Sequence, residues 1–164
     1  MTISRTETIK KIESLLKEVQ DIAKEHLGLE NILYNERYVE LLMSDKLGHK
    51  YNVNTQGGDA FNINQEECEY KAINLRNKSN SSSFQFHWLS ENKMEKYRNN
   101  KFVYFALRDG AKLIEIYELP MESIILQLEE KKSVTGDIKG HKSFSLENII
   151  ELGAIKVYDV NNFN

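Results

Sequence analysis

The sequence predicts an α/β or α+β fold in which helices flank a mixed β-sheet. Two N-terminal stretches repeat apolar residues at helical spacing, whereas the middle of the chain carries short runs that alternate or are apolar throughout, as strands do. The chain has 164 residues, of which 40% are hydrophobic and only one is proline. This length suits one core, so residues 1–164 are predicted to form a single domain.

The first two helices are predicted at residues 5–27 and 30–47. Each stretch is followed by a glycine, Gly28 or Gly48, which favours helix termination. The first stretch has the longer apolar face, made of Ile9, Ile12, Leu15, Leu16, Val19, Ile22, Ala23 and Leu27. This face is predicted to pack either on the sheet or on a second subunit.

Strands and short helices are predicted along the rest of the chain. The runs 50–54 and 59–63 flank the turn signal Gln56-Gly57-Gly58, and a third strand follows at 67–75. The later elements are an alternating run at 84–88, a helix from Ser90 to about 99, strands at 102–107 and 112–118, a helix at 120–130, a polar basic loop at 131–142, a short helix at 145–152 and a strand at 154–160.

Three charged side chains are predicted to meet on one hairpin. Asp59 opens the strand after the glycines, and Glu69 and Lys71 stand two residues apart on the next strand. Since strand side chains alternate faces, Glu69 and Lys71 point the same way, and Asp59 can meet Glu69 if the strands pair. Two carboxylates suit a hard cation such as Mg²⁺, and a neighbouring lysine can orient water or neutralise charge. The alternative is an ordinary Glu–Lys pair on a strand surface.

An aspartate followed by Glu-x-Lys, with a helix and a strand before it, resembles the core of the PD-(D/E)xK nucleases, the superfamily of most type II restriction endonucleases. Gly58 stands where that family has proline. The resemblance implies a restriction-endonuclease-like mixed central sheet flanked by helices. It divides the chain into N-terminal helices at 5–47, a catalytic core at about 35–118 and further elements at 120–160. It also implies Mg²⁺ as the cofactor, with Mn²⁺ as a substitute.

The same resemblance implies the role of each site residue. Asp59 and Glu69 would bind the metal, and the backbone carbonyl of Tyr70 would be a further ligand. Lys71 would position or activate the water that attacks the phosphodiester. The products of such enzymes usually carry a 5′-phosphate.

A glutamate on the preceding helix is a further metal-ligand candidate. In the family that Asp59 and Glu69 suggest, such a helix commonly bears a glutamate, which makes Glu40 a candidate and Glu36, one turn earlier, its rival. Read from the residues alone, Glu40 is equally a helix-surface carboxylate paired with Arg37 or Lys46, and this alternative stays open.

Charge is distributed unevenly along the chain. A net charge of −3 argues against a protein that binds nucleic acid by bulk electrostatics. Residues 71–101 nevertheless have a net charge of +5 and residues 131–142 a net charge of +3, so DNA phosphates could be contacted there. The candidates for DNA binding are Arg76, Lys78, Asn80, Gln85, His87 and Lys93. Gln85 and His87 would look into the active site if their strand lies beside that of Glu69. The alternative is a solvated surface.

Composition also bears on location and redox chemistry. The sequence contains no run of eighteen apolar residues, so no membrane-spanning helix is predicted. Residues 1–5 also lack an apolar signal region, so a cytoplasmic protein is expected. The single cysteine, Cys68, excludes an internal disulfide and a thiolate zinc cluster. It is predicted to fill the core behind the strand of Glu69.

Three functions are compatible with this sequence. The first is an Mg²⁺-dependent type II restriction endonuclease that cleaves duplex DNA at a specific site, as a homodimer because a palindromic target has two strands to cut. The second is a structure-selective or repair nuclease of the same fold. The third is a non-catalytic DNA-binding or assembly module in which Asp59, Glu69 and Lys71 are surface charges that do not converge.

Overall fold

The structure is a computed structural model that describes residues 4–54, 56–76, 83–87, 89–130 and 140–162. The chain divides into two compact units, Met1–Tyr38 and Val39–Asn164. Among the described residues, no helix is both long and apolar enough to cross a membrane.

The N-terminal unit is built on one long helix, α1 (Arg5–Leu27). Ser4 caps it reciprocally: its hydroxyl accepts from the backbone of Glu7, and the Glu7 carboxylate accepts from the backbone of Ser4. Gly28 ends the helix in the left-handed conformation, with φ of +69°. The side chain of Gln20 then holds the following turn by bonds to Leu29 O (2.8 Å) and Ile32 N (3.1 Å).

The prediction of one helix over residues 30–47 is wrong in its first part. A short 3-10 turn at Tyr34–Glu36 comes first, and α2 (Arg37–Leu47) begins only after it. Asn35 and Glu36 both have positive φ, +49° and +60°, which no continuous right-handed helix allows. The apolar spacing that suggested a longer helix belongs in part to this turn.

The second unit contains a mixed six-stranded sheet, as predicted. Its strands are β1 (Lys50–Tyr51), β2 (Ala60–Phe61), β3 (Glu67–Asn74), β5 (Phe102–Asp109), β6 (Lys112–Pro120) and β8 (Ile155–Asp159). They are ordered β1-β2-β3-β5-β6-β8, with β3 and β5 parallel and every other neighbouring pair antiparallel. The predicted hairpin is present, since Ala60 of β2 pairs with Cys68 of β3.

A separate two-stranded sheet lies outside this order. β4 (Phe84–Phe86) pairs with β7 (Lys142–Phe144), so the strand of Gln85 and His87 does not pair with β3, the strand of Glu69. We refer to these two strands as the β4–β7 ribbon. The sequence did not predict β7, because its three residues are too few to display an alternating pattern, and its first residue was assigned to the loop at 131–142. Residues 131–139 of that loop lie outside the described residues.

The core of this unit lies against β5. The apolar stretch of β5 is buried from Val103 to Leu107, as its uninterrupted apolar sequence predicts. Phe84 and Phe86 of the ribbon belong to the same apolar cluster. The helices that flank the sheet are α3 (Glu91–Asn99), α4 (Met121–Glu129) and α5 (Leu146–Glu151), and they contribute the buried side chains Met94, Tyr97, Met121, Ile124, Ile125, Leu128 and Ile149.

Candidate active site

Backbone pairing brings Asp59 onto β3. Asp59 comes directly before β2, and its amide donates to the carbonyl of Cys68 at 2.8 Å. Its carboxylate then accepts a hydrogen bond of 2.7 Å from the backbone amide of Tyr70. Since Tyr70 lies between Glu69 and Lys71, this bond fixes the aspartate carboxylate beside both of their side chains. The three charges that the sequence predicted to converge therefore do so.

The turn before Asp59 is held by Asn52, which is buried. Its side-chain amide donates to the carbonyls of Gln56 (3.1 Å) and Gly58 (2.8 Å), and its backbone amide donates to the Asp59 carbonyl at 2.9 Å. Asn52 is not among the site residues predicted from the sequence. A polar residue just before the glycine turn was the available signal, and asparagine commonly bonds nearby backbone in this way.

Gly58 is packed too tightly to carry a side chain. A Cβ at this position would lie 2.3 Å from Asn100 Oδ1 and 2.8 Å from the Cys68 carbonyl oxygen. Both distances are far below van der Waals contact, and the Cys68 carbonyl is the one that accepts from Asp59. The glycine that replaces the proline of the superfamily motif therefore permits the close approach of the Asp59 strand to β3.

Glu69 and Lys71 form an ion pair on one face of β3. Lys71 Nζ contacts Glu69 Oε1, and the two side chains are only 19% and 13% exposed. Two aromatic rings lie beside the ammonium: its Nζ is 5.2 Å from the ring centre of Phe86 and 5.7 Å from that of Tyr97. These two rings were not predicted as site residues, because they come from other elements and no local spacing links them to Lys71.

The site concentrates negative charge away from water. Burial raises the pKa of Asp59 well above its usual range, and the carboxylates of Glu69 and Glu40 raise it further, against the opposing effects of Lys71 and the Tyr70 amide. Burial lowers the pKa of Lys71, but the neighbouring negative charges, led by Glu69, more than offset this and leave the pKa raised. Lys71 is therefore an ammonium at neutral pH.

Glu40 of α2 lies close enough to act electrostatically on Asp59. It accepts a hydrogen bond of 3.1 Å from the hydroxyl of Tyr51. Its rival, Glu36, is exposed and belongs to the 3-10 turn of the N-terminal unit. Direct coordination of a metal by Glu40 stays a prediction.

The donor set suits a hard divalent cation that retains other ligands. Among the described residues, no group of three His, Cys, Asp or Glu side chains could hold a metal ion. An ion here would thus rely on the carboxylates of Asp59 and Glu69, with a backbone carbonyl, water and phosphate completing its shell, as Mg²⁺ prefers. Burial, with the added charges of Glu69 and Glu40, raises the pKa of Asp59, and a bound cation would oppose this by favouring the ionised carboxylate.

The predicted DNA-binding residues have different surroundings. Gln85 and His87 alternate with the buried phenylalanines of β4, and His87 is exposed. Lys93 donates to the carbonyl of His87 at 2.7 Å, and burial, helped by the charge of Lys71, lowers the pKa of Lys93. Arg76 is exposed and forms an ion pair with Asp109. The remaining two candidates, Lys78 and Asn80, lie outside the described residues.

A comparison with protein families decides what kind of protein carries this site. The family described as restriction endonuclease PvuII matches residues 4–158. The chain belongs to that family. It is therefore a nuclease of the PD-(D/E)xK type II restriction endonuclease group, whose members act on DNA, as the resemblance implied. A search of curated proteins found no match.

The PvuII-family match agrees with the fold and the geometry. The mixed sheet with flanking helices is the fold expected of a restriction endonuclease. Asp59, Glu69 and Lys71 all fall within the matched residues. The convergence of these three charges also removes the main support for a non-catalytic module, which required them to lie apart.

Proposed function

We propose that this chain is an Mg²⁺-dependent type II restriction endonuclease that cleaves duplex DNA at a specific site. The observation that carries the proposal is the hydrogen bond from the Tyr70 amide to Asp59, which holds that carboxylate where the charges of Glu69 and Lys71 both act on it. Family membership supports the reaction class, and the crowded carboxylates support the use of a divalent cation.

Each site residue then has a defined task. Asp59 and Glu69 would hold Mg²⁺, with the Tyr70 carbonyl as a further ligand, while Glu40 would act on the ion through its charge and not as a third carboxylate ligand. The bound ion would supply positive charge to the scissile phosphate and to the oxygen that leaves. Since the raised pKa keeps Lys71 protonated at neutral pH, its ammonium donates hydrogen bonds that orient the attacking water and stabilise charge on the phosphate.

DNA contacts would come from the polar side of the β4–β7 ribbon and from the basic side chains of residues 71–101 and 131–142. Gln85 and His87 stand on that side, and Lys93 is anchored to the same strand. Because the chain as a whole is acidic, binding must depend on such local groups, and base contacts rather than bulk charge would supply the specificity.

The proposed active unit is a homodimer. The chain has one Asp59–Glu69–Lys71 site, whereas a palindromic duplex has two strands to cut. Helix α1 exposes a continuous apolar face: Ile9, Ile12, Leu15, Leu16, Val19 and Ile22 are each 44–53% exposed in the single chain. A second copy of α1 is the proposed partner of this face.

The dimer is tested by placing a charge on that face. Leu16→Glu should shift the protein from dimer to monomer in sedimentation analysis. Ser14→Glu, which adds the same charge on the opposite side of α1, should leave the dimer intact. A wild-type chain that sediments as a monomer at micromolar concentration would contradict the dimer but not the chemistry.

The cleavage activity is tested with unmethylated plasmid and genomic DNA, incubated with Mg²⁺ or with a chelator. Discrete fragments that form only with Mg²⁺ are expected, and mapping their ends gives the target sequence. A smear or nicked circles would instead favour the structure-selective or repair nuclease. No cleavage of any DNA would contradict the proposal.

A further inference from the structure

The ammonium of Lys71 is enclosed by rings from two different elements. Phe86 on β4 and Tyr97 on α3 have their ring centres 5.2 and 5.7 Å from Nζ. Aromatic faces attract cations at such distances, most strongly where water is excluded. Glu69 contacts the same ammonium. Since a lysine side chain has four flexible bonds, these neighbours determine where its charge lies.

The Phe86 ring is carried by the β4–β7 ribbon and not by a strand of the central sheet. Phe86 is fully buried, and its backbone register partner is Lys142 of β7. Its ring packs edge-on against Phe144 of β7, with ring centres 5.6 Å apart, and against Tyr97 at 5.4 Å. The position of this ring therefore depends on how the ribbon sits against the sheet.

The opposite side of the ribbon is polar. Gln85 lies between the two buried phenylalanines of β4, and the exposed His87 follows them. The ring of His141, next to β7, is 6.1 Å from that of His87. One short strand thus has its aromatic side against Lys71 and its polar side available to DNA.

We propose that Phe86 is a positioning residue that couples the seating of the β4–β7 ribbon on DNA to the placement of the Lys71 ammonium. This inference rests on the proposed function. Contacts of the polar side with a correct target would set the ribbon in one position, and the Phe86 ring would hold the ammonium where it meets the water and the phosphate. On a poor target the ring and the ammonium would be displaced together, and small displacements of a catalytic group cost large factors in rate.

The matched control for Phe86 is Phe84. It lies on the same strand, is equally buried and faces the same side, but its ring packs against Phe105 with ring centres 4.8 Å apart. Phe→Leu at either position removes a ring and leaves an apolar side chain, so the loss of packing is comparable. Only the change at Phe86 removes a ring from Lys71.

The test measures single-turnover cleavage and, with Ca²⁺ in place of Mg²⁺, DNA affinity. Phe86→Leu should slow cleavage about 10- to 100-fold with unchanged DNA affinity, whereas Phe84→Leu should cleave within a few-fold of wild type. If Phe86→Leu does not fold, Phe86→Met is measured instead, because methionine fills a similar space without a ring. Equal rates for the Phe86 and Phe84 variants would overturn the inference.

A double-mutant cycle tests the link to DNA. Gln85 adjoins both phenylalanines, so Gln85→Ala is combined with each Phe→Leu change. Its effect on the cleavage rate should be non-additive with Phe86→Leu and additive with Phe84→Leu. Additivity in both pairs would overturn the coupling. A wild-type protein that cleaves no DNA would instead overturn the proposed function, so the two failures are distinguishable.

Discussion

The two faces of β3 have opposite character although their residues alternate along one strand. One face, called the near face below, bears Glu69 and Lys71, and Asp59 joins them from the neighbouring strand. The other, called the far face, bears Cys68 and Tyr70, which are 0% and 4% exposed. On this far face the Tyr70 hydroxyl lies 2.8 Å from His49 Nδ1, and the ring of Tyr104 packs edge-on against Tyr70.

The difference shows how a stable strand can carry an unfavourable set of charges. On the near face, burial of Asp59 and the charge of Glu69 raise the pKa of the Asp59 carboxyl. A raised pKa means that the ionised form of Asp59 is less favourable in the folded protein than in the unfolded chain, so it opposes folding. The far face contributes packing and satisfied polar groups instead. Changes on the near face should therefore affect catalysis, and changes on the far face should affect stability.

Among changes that leave both metal-binding carboxylates in place, the largest effect is expected from Lys71→Ala. Loss of the ammonium should reduce the cleavage rate by about 10²–10⁴-fold, since this ammonium contacts Glu69 and acts electrostatically on Asp59. Single-turnover cleavage measures the effect, and Lys71→Met controls for packing because it keeps an apolar stem between Phe86 and Tyr97. Cleavage by Lys71→Met within a few-fold of the wild-type rate would show that the Lys71 ammonium takes no part in the reaction.

A near-face backbone change should have the next largest effect. Gly58→Ala would introduce a Cβ that collides with Asn100 and with the Cys68 carbonyl, so the Asp59 strand must shift. Cleavage should fall by up to about 100-fold, because a small displacement of a ligand is costly. Gly153→Ala is the control: alanine would be strained at the φ of +96°, but no atom of the described residues lies within 4 Å of the added Cβ. The control should lower the melting temperature without changing the cleavage rate.

A far-face change should alter stability alone. The Tyr104 hydroxyl donates to Glu118 at 2.6 Å, and hydrogen bonds to charged groups are worth more than neutral ones. Tyr104→Phe should therefore lower the free energy of unfolding by about 1.5–3 kcal/mol. Urea denaturation measures this loss. The cleavage rate at a temperature where both proteins are folded should stay the same, and a large fall would contradict the separation of the faces.

The smallest effect is expected when a thiol reagent is added to the native protein, whose only cysteine in the sequence is Cys68. Burial raises the pKa of its thiol to about 12, above the usual value near 8.5. At pH 8 the thiol therefore keeps its proton, and the reactive thiolate is scarce in the folded protein. A thiol reagent should modify Cys68 only after unfolding by urea. Rapid modification of the native protein would show that the far face is open to solvent.

The near face could be predicted from the sequence because its chemistry is local. Glu69 and Lys71 share a face through the two-residue period of a strand, and Asp59 reaches them through a hairpin of short loop length. The buried run of β5 and the Ser90 cap of α3 are equally local signals, and both are present as predicted.

Other parts of the molecule depend on contacts between distant segments. The pairing of β4 with β7 joins two three-residue strands, neither of which is long enough to reveal its partner. The rings of Phe86 and Tyr97 meet Lys71 only through tertiary packing, and the same is true of Asn100 against Gly58. The late start of α2 depends on the left-handed conformations at Asn35 and Glu36, which apolar spacing does not encode.

The most direct test of the account is the Mg²⁺-dependent cleavage of one mapped DNA target by Asp59→Ala and Tyr104→Phe proteins, measured beside the wild type. Folded Asp59→Ala should show no detectable cleavage and should lose Mg²⁺ binding, whereas Tyr104→Phe should cleave at the wild-type rate. A folded Asp59→Ala protein that cleaves at the wild-type rate would contradict the assignment of the active site.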